Sequence, residues 1–75
     1  MDKHLFQQLP KMDVLLAHPV LLTAQEEGVP YYALKEAARA RLDRLRRGIL
    51  DGSVEALPGL DALAVQTVEQ ARRAC

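Results

Sequence analysis

The spacing of apolar residues predicts a long amphipathic helix in the middle of the chain. Leu34 is followed, at steps of four, four, three and four positions, by Ala38, Leu42, Leu45 and Ile49. Such steps place side chains on one face of an α-helix, which turns once in about 3.6 residues. A second stripe of this kind runs from Leu60 to Ala74. Its small residues favour close approach of a neighbouring helix.

Prolines and glycines divide the chain into elements. Four prolines each precede an apolar-periodic stretch: Pro10, Pro19, Pro30 and Pro58. Proline is tolerated at a helix start, where the amide is unpaired, and glycine is favoured just beyond a helix end. Gly28 and the pair Gly52-Ser53 therefore indicate stops. After a short turn at 2–8, the predicted helices span 10–17, 19–27, 30–51 and 58–75.

These elements predict an all-α fold, a small bundle of about four helices in which the third and fourth are longest. The whole chain, 1–75, is expected to form a single domain, because a sequence of this length supports only one core. The predicted core consists of Leu15, Leu16, Leu22, Leu34, Leu42, Leu45, Ile49, Leu60, Leu63 and Ala71.

Composition narrows the function classes. No apolar run approaches the roughly 20 residues of a membrane span, and no cleavable leader is visible, so we expect a cytoplasmic chain with no membrane partner. Cys75 has no partner for a disulfide, and with His4 and His18 it falls short of a zinc ligand set. No metal site is expected. The sequence after Arg72 stays in helical phase with no stop signal, which favours a piece cut from a longer protein.

A catalytic constellation is also not expected. A nucleophile needs a base within hydrogen-bonding reach, and the hydroxyl residues are only Thr23, Ser53 and Thr67. The hydroxyl of Ser53 is expected to cap a turn, and Thr67 to lie on the apolar face of the fourth helix. We therefore predict no catalytic residue.

Positive charge is concentrated on the third helix. Residues 35–47 hold six cationic side chains against two carboxylates, a net charge of +4, whereas the segments on either side each carry −2. At about 100° per residue, three of these cations fall within roughly 40° of one another, beside the apolar stripe. They are the candidate RNA-binding residues Lys35, Arg39 and Arg46. Arg41 is placed on the other flank of the stripe, and Arg44 and Arg47 on the far side.

A solvated helix surface is the competing interpretation of this cluster. Glu36 can pair with Arg39, and Asp43 can pair with Arg39 or Arg47, as on many exposed helices. On the cluster alone, this interpretation is slightly favoured over nucleic-acid binding. Tyr31 and Tyr32 are adjacent, so at most one can share a face with the arginines, and any bound RNA is expected to be recognised mainly by shape and backbone.

Two segments resemble the N-terminal domain of bacterial selenocysteine synthases. The first is Leu-Phe-Gln-Gln-Leu-Pro-Lys-Met-Asp-Val-Leu-Leu over 5–16, with its Leu-Pro, aliphatic-Asp and Leu-Leu pairs. The second, Arg-Ala-Arg-Leu-Asp-Arg-Leu-Arg over 39–46, is similar to the family's Arg-x-x-Leu-Asp-x-Leu-Arg stretch. The resemblance covers nearly the whole chain but only that domain of the family. Lys11 stands where the family often has a small residue.

The resemblance implies a larger parent enzyme that converts seryl-tRNA(Sec) to selenocysteinyl-tRNA(Sec) with pyridoxal phosphate and selenophosphate. The cofactor lysine of that family lies in a later domain, so Lys3, Lys11 and Lys35 are not assigned that role and no cofactor is expected in this chain. The implied partners are tRNA(Sec), contacted at its D-arm, and the parent's catalytic domain. The parent is implied to be a large ring-shaped homo-oligomer, with the isolated domain expected to be monomeric.

Two other functions remain open at this level. One is a protein-docking module that uses the alanine-rich fourth helix. The other is a helix-turn-helix DNA binder, because a tight turn precedes the third helix. Salt dependence separates phosphate binding from apolar docking, since only the former weakens steeply as salt rises.

Overall fold

The computed structural model describes residues 7–74, and these form four α-helices with no strand among them. The helices are α1 (Met12–Leu16), α2 (Pro19–Glu26), α3 (Tyr31–Asp51) and α4 (Leu60–Ala74). The all-α prediction is confirmed, with the third and fourth helices the longest. The predicted turn at 2–8 lies mostly outside the described residues, as do Lys3, His4 and Cys75. No helix within the described part is long and apolar enough to cross a bilayer.

Helix α2 is bounded by two local motifs that follow from its sequence. Pro19 occupies the first turn, and the ring of His18 caps it by accepting a hydrogen bond from the Val20 amide at Nδ1, over 3.1 Å. At the other end Gly28 has φ of 108°, and its amide donates to Gln25 while the Val29 amide donates to Ala24. This is the Schellman pattern, in which a left-handed glycine satisfies the last helical carbonyls.

Helix α3 also ends at a left-handed glycine, Gly52, with φ of 83°. The turn differs from the predicted one, because the Asp51 carboxylate, not the Ser53 hydroxyl, makes the main capping bond. Oδ1 of Asp51 accepts from the Ser53 amide over 2.9 Å. The Ser53 hydroxyl donates only weakly, to the Gly48 carbonyl over 3.5 Å. The Val54 amide donates to the same carbonyl over 3.0 Å and holds the chain against the helix.

The bundle is built on α3 and α4. Helix α4 packs against both α3 and α2, and α1 packs against α3 and α2, in an elongated body of 40 × 20 × 16 Å. A hydrogen bond and an ion pair join α2 to α4 at matching ends. His18 Nε2 lies 2.7 Å from Asp61 at the start of both helices, and Arg72 lies 2.8 Å from Glu27 at their ends. The two helices therefore run side by side in the same direction.

Most of the predicted core is buried, but three residues are not. Leu22 is 49% exposed and Leu60 is 38% exposed, and Leu45 is only partly buried against the core. The prediction was wrong for Leu22. The buried residues of α2 are Leu21 and Ala24, three positions apart, and they face the bundle, where α2 packs against α4; Leu22 lies on the outer side. Three consecutive aliphatic residues in a helix of eight cannot show which of them faces inward.

Helix α4 begins two residues later than predicted, at Leu60 in place of Pro58, and the Leu63 amide donates to the Gly59 carbonyl at its first turn. This start explains the exposure of Leu60, which stands at the open end of the helix. Thr67 lies on the buried face as predicted and is fully inaccessible. Its hydroxyl donates to the Leu63 carbonyl over 2.8 Å, so the buried oxygen is satisfied within its own helix.

Candidate nucleic-acid interface

The three predicted RNA-binding residues all lie on the solvent side of α3. Lys35, Arg39 and Arg46 are exposed, and the two arginine side chains keep 58% and 57% of their surface accessible. Eleven residues separate the first from the last, a rise of about 16 Å along a helix. We call these three residues the basic row. Because the buried residues of α3 hold the helix against the rest of the bundle, the cations are presented on a rigid support.

Two carboxylates accompany the basic row. Arg39 Nη1 lies 3.8 Å from Glu36, as predicted, and Arg46 Nη1 lies 3.3 Å from Asp43. The prediction that Asp43 pairs with Arg39 or Arg47 was wrong, since the structure pairs it with Arg46, one helical turn away. Both are exposed pairs on one helix, a kind that contributes about 0.5 kcal/mol or less. The basic row and its two acids leave one net positive charge on this surface.

Arg44 and Arg47 line a different surface. They border an open groove of about 500 Å³, together with Asp43, Asp51 and Ser53. Arg44 lies roughly 140–160° around the helix from Arg39 and Arg46. Asp43 is already paired with Arg46, so Asp51 is the carboxylate of this groove that is left to offset its arginines. The structure therefore separates the cations of α3 into two groups on different sides of the helix.

Arg41 belongs to neither group. The sequence placed it on a flank of the apolar stripe, but it is half-buried, and its Nε atom is inaccessible with no hydrogen-bond partner among the described residues. The reason is the width of the packed face. The buried face includes Ala37 and Gly48 in addition to the predicted apolar stripe. Arg41 lies around the helix between these two residues and the stripe.

A second, smaller groove lies between α3 and α4. It measures about 200 Å³, and Tyr32 and Glu36 line it from α3 while Gln70 and Ala74 line it from α4. Ala33 and Ala37 form its remaining walls. Sequence reasoning missed this groove, because its two walls are more than thirty residues apart along the chain. The only local signal was Tyr32, a large aromatic residue one turn before Lys35.

The arginines at the end of α4 have different environments. Arg72 is paired with Glu27 across the bundle, whereas Arg73 is exposed and forms no ion pair with the described residues. No group of three His, Cys, Asp or Glu residues within 7–74 is placed to hold a metal ion.

Comparison with known proteins then identifies the family. A family model described as the N-terminal part of selenocysteine synthase matches residues 6–46, more than half of the 75-residue chain. The match runs from the segment before α1 to the last member of the basic row. Neither a search of curated proteins nor a search of solved structures gave a match. The chain belongs to the selenocysteine synthase N-terminal domain family, which connects it to the synthesis of selenocysteine.

Proposed function

We propose that this domain binds tRNA(Sec) through the basic row and helps to position seryl-tRNA(Sec) for a catalytic domain elsewhere in its parent enzyme. The observation that carries the proposal is that the family match includes all three cations of the row. The row is also exposed and lies on the most positive segment of a chain with no net charge. Such local concentration lets a neutral protein attract a polyanion.

The geometry of the basic row suits a phosphate backbone. Arginine presents a planar fork of donors that stays charged, and a phosphate can accept two of them at once. The existing partners of Arg39 and Arg46 are exposed carboxylates at 3.8 and 3.3 Å, so these pairs are weak. Phosphate oxygens can therefore displace Glu36 and Asp43 at low cost, and the helix needs no rearrangement.

In this proposal the chemical reaction takes place in the catalytic domain of the parent enzyme. There, pyridoxal phosphate supports replacement of the seryl hydroxyl by selenium from selenophosphate, in a ring-shaped homo-oligomer. Lys11 and Lys35 are exposed on the surface and line neither of the two grooves described above, so the proposal gives neither of them a role in holding the cofactor. In this proposal the domain contributes binding and orientation only.

The test is a titration of labelled tRNA(Sec) at several salt concentrations. The double variant Arg39→Ala/Arg46→Ala should weaken binding and reduce the magnitude of the salt slope by about one for each phosphate that is no longer bound. Helicity and melting temperature should change little, because both side chains are more than half exposed.

The matched control is Arg44→Ala/Arg47→Ala, which removes the two arginines that line the larger groove, roughly 80–160° around the helix from Arg39 and Arg46. It should weaken binding much less. Equal losses of affinity from the two double variants would indicate diffuse charge attraction, and no loss from either would contradict the proposal and favour a docking module. Equal affinity for duplex DNA would favour a general nucleic-acid binder over a tRNA-specific one.

A further inference from the structure

Tyr32 has an unusual environment for an aromatic residue of a small bundle. Tyr32 lines the groove of about 200 Å³ between α3 and α4, yet the residue is 71% exposed. Three of the other residues that line the groove have small side chains: Ala33, Ala37 and Ala74. Glu36 and Gln70 provide polar groups at opposite sides. An exposed tyrosine ring beside an apolar groove can stack with a flat, aromatic ligand.

The basic row leads to this groove. Tyr32 precedes Arg39 by seven residues, so the two lie about 20° apart around α3 and about 10 Å apart along it. Lys35 lies between them along the helix axis and roughly 40–60° to one side, where it is exposed. Across the groove, Arg73 is exposed on α4, one turn from Gln70. Positive charge therefore flanks the groove on both helices.

We propose that an unpaired nucleobase of the bound RNA stacks on Tyr32 in this groove while the adjacent phosphates lie on Lys35 and Arg39. The inference rests on the proposed function and adds a base-binding subsite to it. Stacking on aromatic side chains is the usual way in which proteins hold unpaired RNA bases. The sequence alone indicated recognition by shape and backbone, and the groove adds a contact to a base.

The size and polarity of the groove favour a base over a protein segment. About 200 Å³ is less than the 300–1,000 Å³ of sites for drug-sized ligands, so it suits a single flat ring system. The Glu36 carboxylate can accept from a base amino group, and the Gln70 amide can both donate and accept. Glu36 is free to do so, because its contact with Arg39 is long, at 3.8 Å.

Tyrosine fluorescence offers a direct test. The chain has two tyrosines and no tryptophan, so the variant Tyr31→Phe leaves Tyr32 as the one fluorescent tyrosine. Addition of tRNA(Sec), corrected for absorption by the RNA, should quench its emission. Tyr32→Ala should weaken tRNA binding about tenfold at every salt concentration, with the salt slope unchanged. Tyr32→Phe should keep most of the affinity, because the ring is retained.

Tyr31→Ala is the control, since it removes a neighbouring exposed aromatic residue that does not line the groove. It should bind tRNA like the unmodified chain. If Tyr32→Ala binds normally and Tyr32 emission does not change, the base-binding subsite is wrong, while weaker binding by Arg39→Ala/Arg46→Ala would leave the proposed function standing. A loss of affinity with Tyr32→Ala that alters the salt slope, or that Tyr32→Phe shares in full, would also overturn the stacking inference.

Discussion

At the residue scale, Asp51 shows how one carboxylate stabilises the turn after a helix. The Ser53 hydroxyl, which can turn from its long contact with the Gly48 carbonyl to the carboxylate, and then the Ser53 amide hold the pKa of Asp51 below its usual value of 3.8. The hydrogen bonds favour the charged form because a carboxylate accepts better than the protonated acid. Asp51 is exposed and titrates in contact with solvent, so its contribution is local to the turn after α3.

The lowered pKa of Asp51 predicts a pH-dependent stability. A carboxyl whose pKa is lower in the folded chain stabilises it at pH above the unfolded value, and this stabilisation disappears as pH falls through the folded value. Asp51→Asn should therefore reduce stability at neutral pH, and the difference from the unmodified chain should shrink below about pH 4. Urea unfolding at a series of pH values measures it.

Glu55→Gln is the control for Asp51, because it neutralises another exposed carboxylate in the same loop. It should have little effect on unfolding at neutral pH. A difference between Asp51→Asn and the unmodified chain that stays constant down to pH 3 would show that the Ser53 contacts do not depend on charge.

At the element scale, α3 has three kinds of surface around its circumference. One side is packed, one carries the basic row, and one lines the groove of Arg44 and Arg47. Near its end the helix contains a buried glycine, Gly48, whose carbonyl accepts from the Val54 amide. A Cβ at Gly48 would overlap Cγ2 of Val54. Glycine is therefore required there by the returning chain.

Gly48→Ala is predicted to destabilise the domain although alanine is the better helix former. Alanine gains about 1 kcal/mol of helix propensity, but overpacking typically costs about 1–3 kcal/mol, and the Val54 side chain is held close by its own backbone hydrogen bond. The expected net loss of stability is on the order of 1 kcal/mol. The double variant Gly48→Ala/Val54→Ala should recover most of it, since the Cγ2 methyl group of Val54 that overlaps the new Cβ is gone. Thermal melts of the single and double variants measure this difference in stability. A Gly48→Ala variant that is more stable than the unmodified chain would contradict the steric argument.

At the scale of the whole molecule, α4 organises the bundle. It contacts both α3 and α2, and two of the largest fully buried side chains, Leu63 and Thr67, belong to it. Close approach is possible because Ala64 and Ala71 are also fully buried on the same helix. A small bundle held this way has little stability in reserve.

Leu63→Ala should lower the free energy of unfolding by about 2–5 kcal/mol, because it leaves a cavity where α4 meets its neighbours. Leu22→Ala should cost much less, since Leu22 is about half exposed. Chemical denaturation of the two variants measures and compares their free energies of unfolding. Equal decreases in stability would mean that Leu22 is packed in solution and that the orientation of α2 is wrong.

Local chemistry was sufficient to predict the elements. Gly28 and Gly52 end their helices with positive φ, Pro19 begins α2, and the apolar steps of α3 gave its buried stripe. The exposed basic row was also predictable, because angular position on one long helix follows from its fixed twist. These features depend on residues that are close together in sequence.

Tertiary structure decided what depends on distant partners. It turned Leu21 inward in place of Leu22, placed Arg41 within the packed face, and joined His18 to Asp61. It also formed the groove beside Tyr32 from two helices. The helical period predicts which residues share a face of one helix. It does not predict how much of that face a neighbouring helix covers. That width is set by the packing of other helices, whose contacts join residues far apart in the chain.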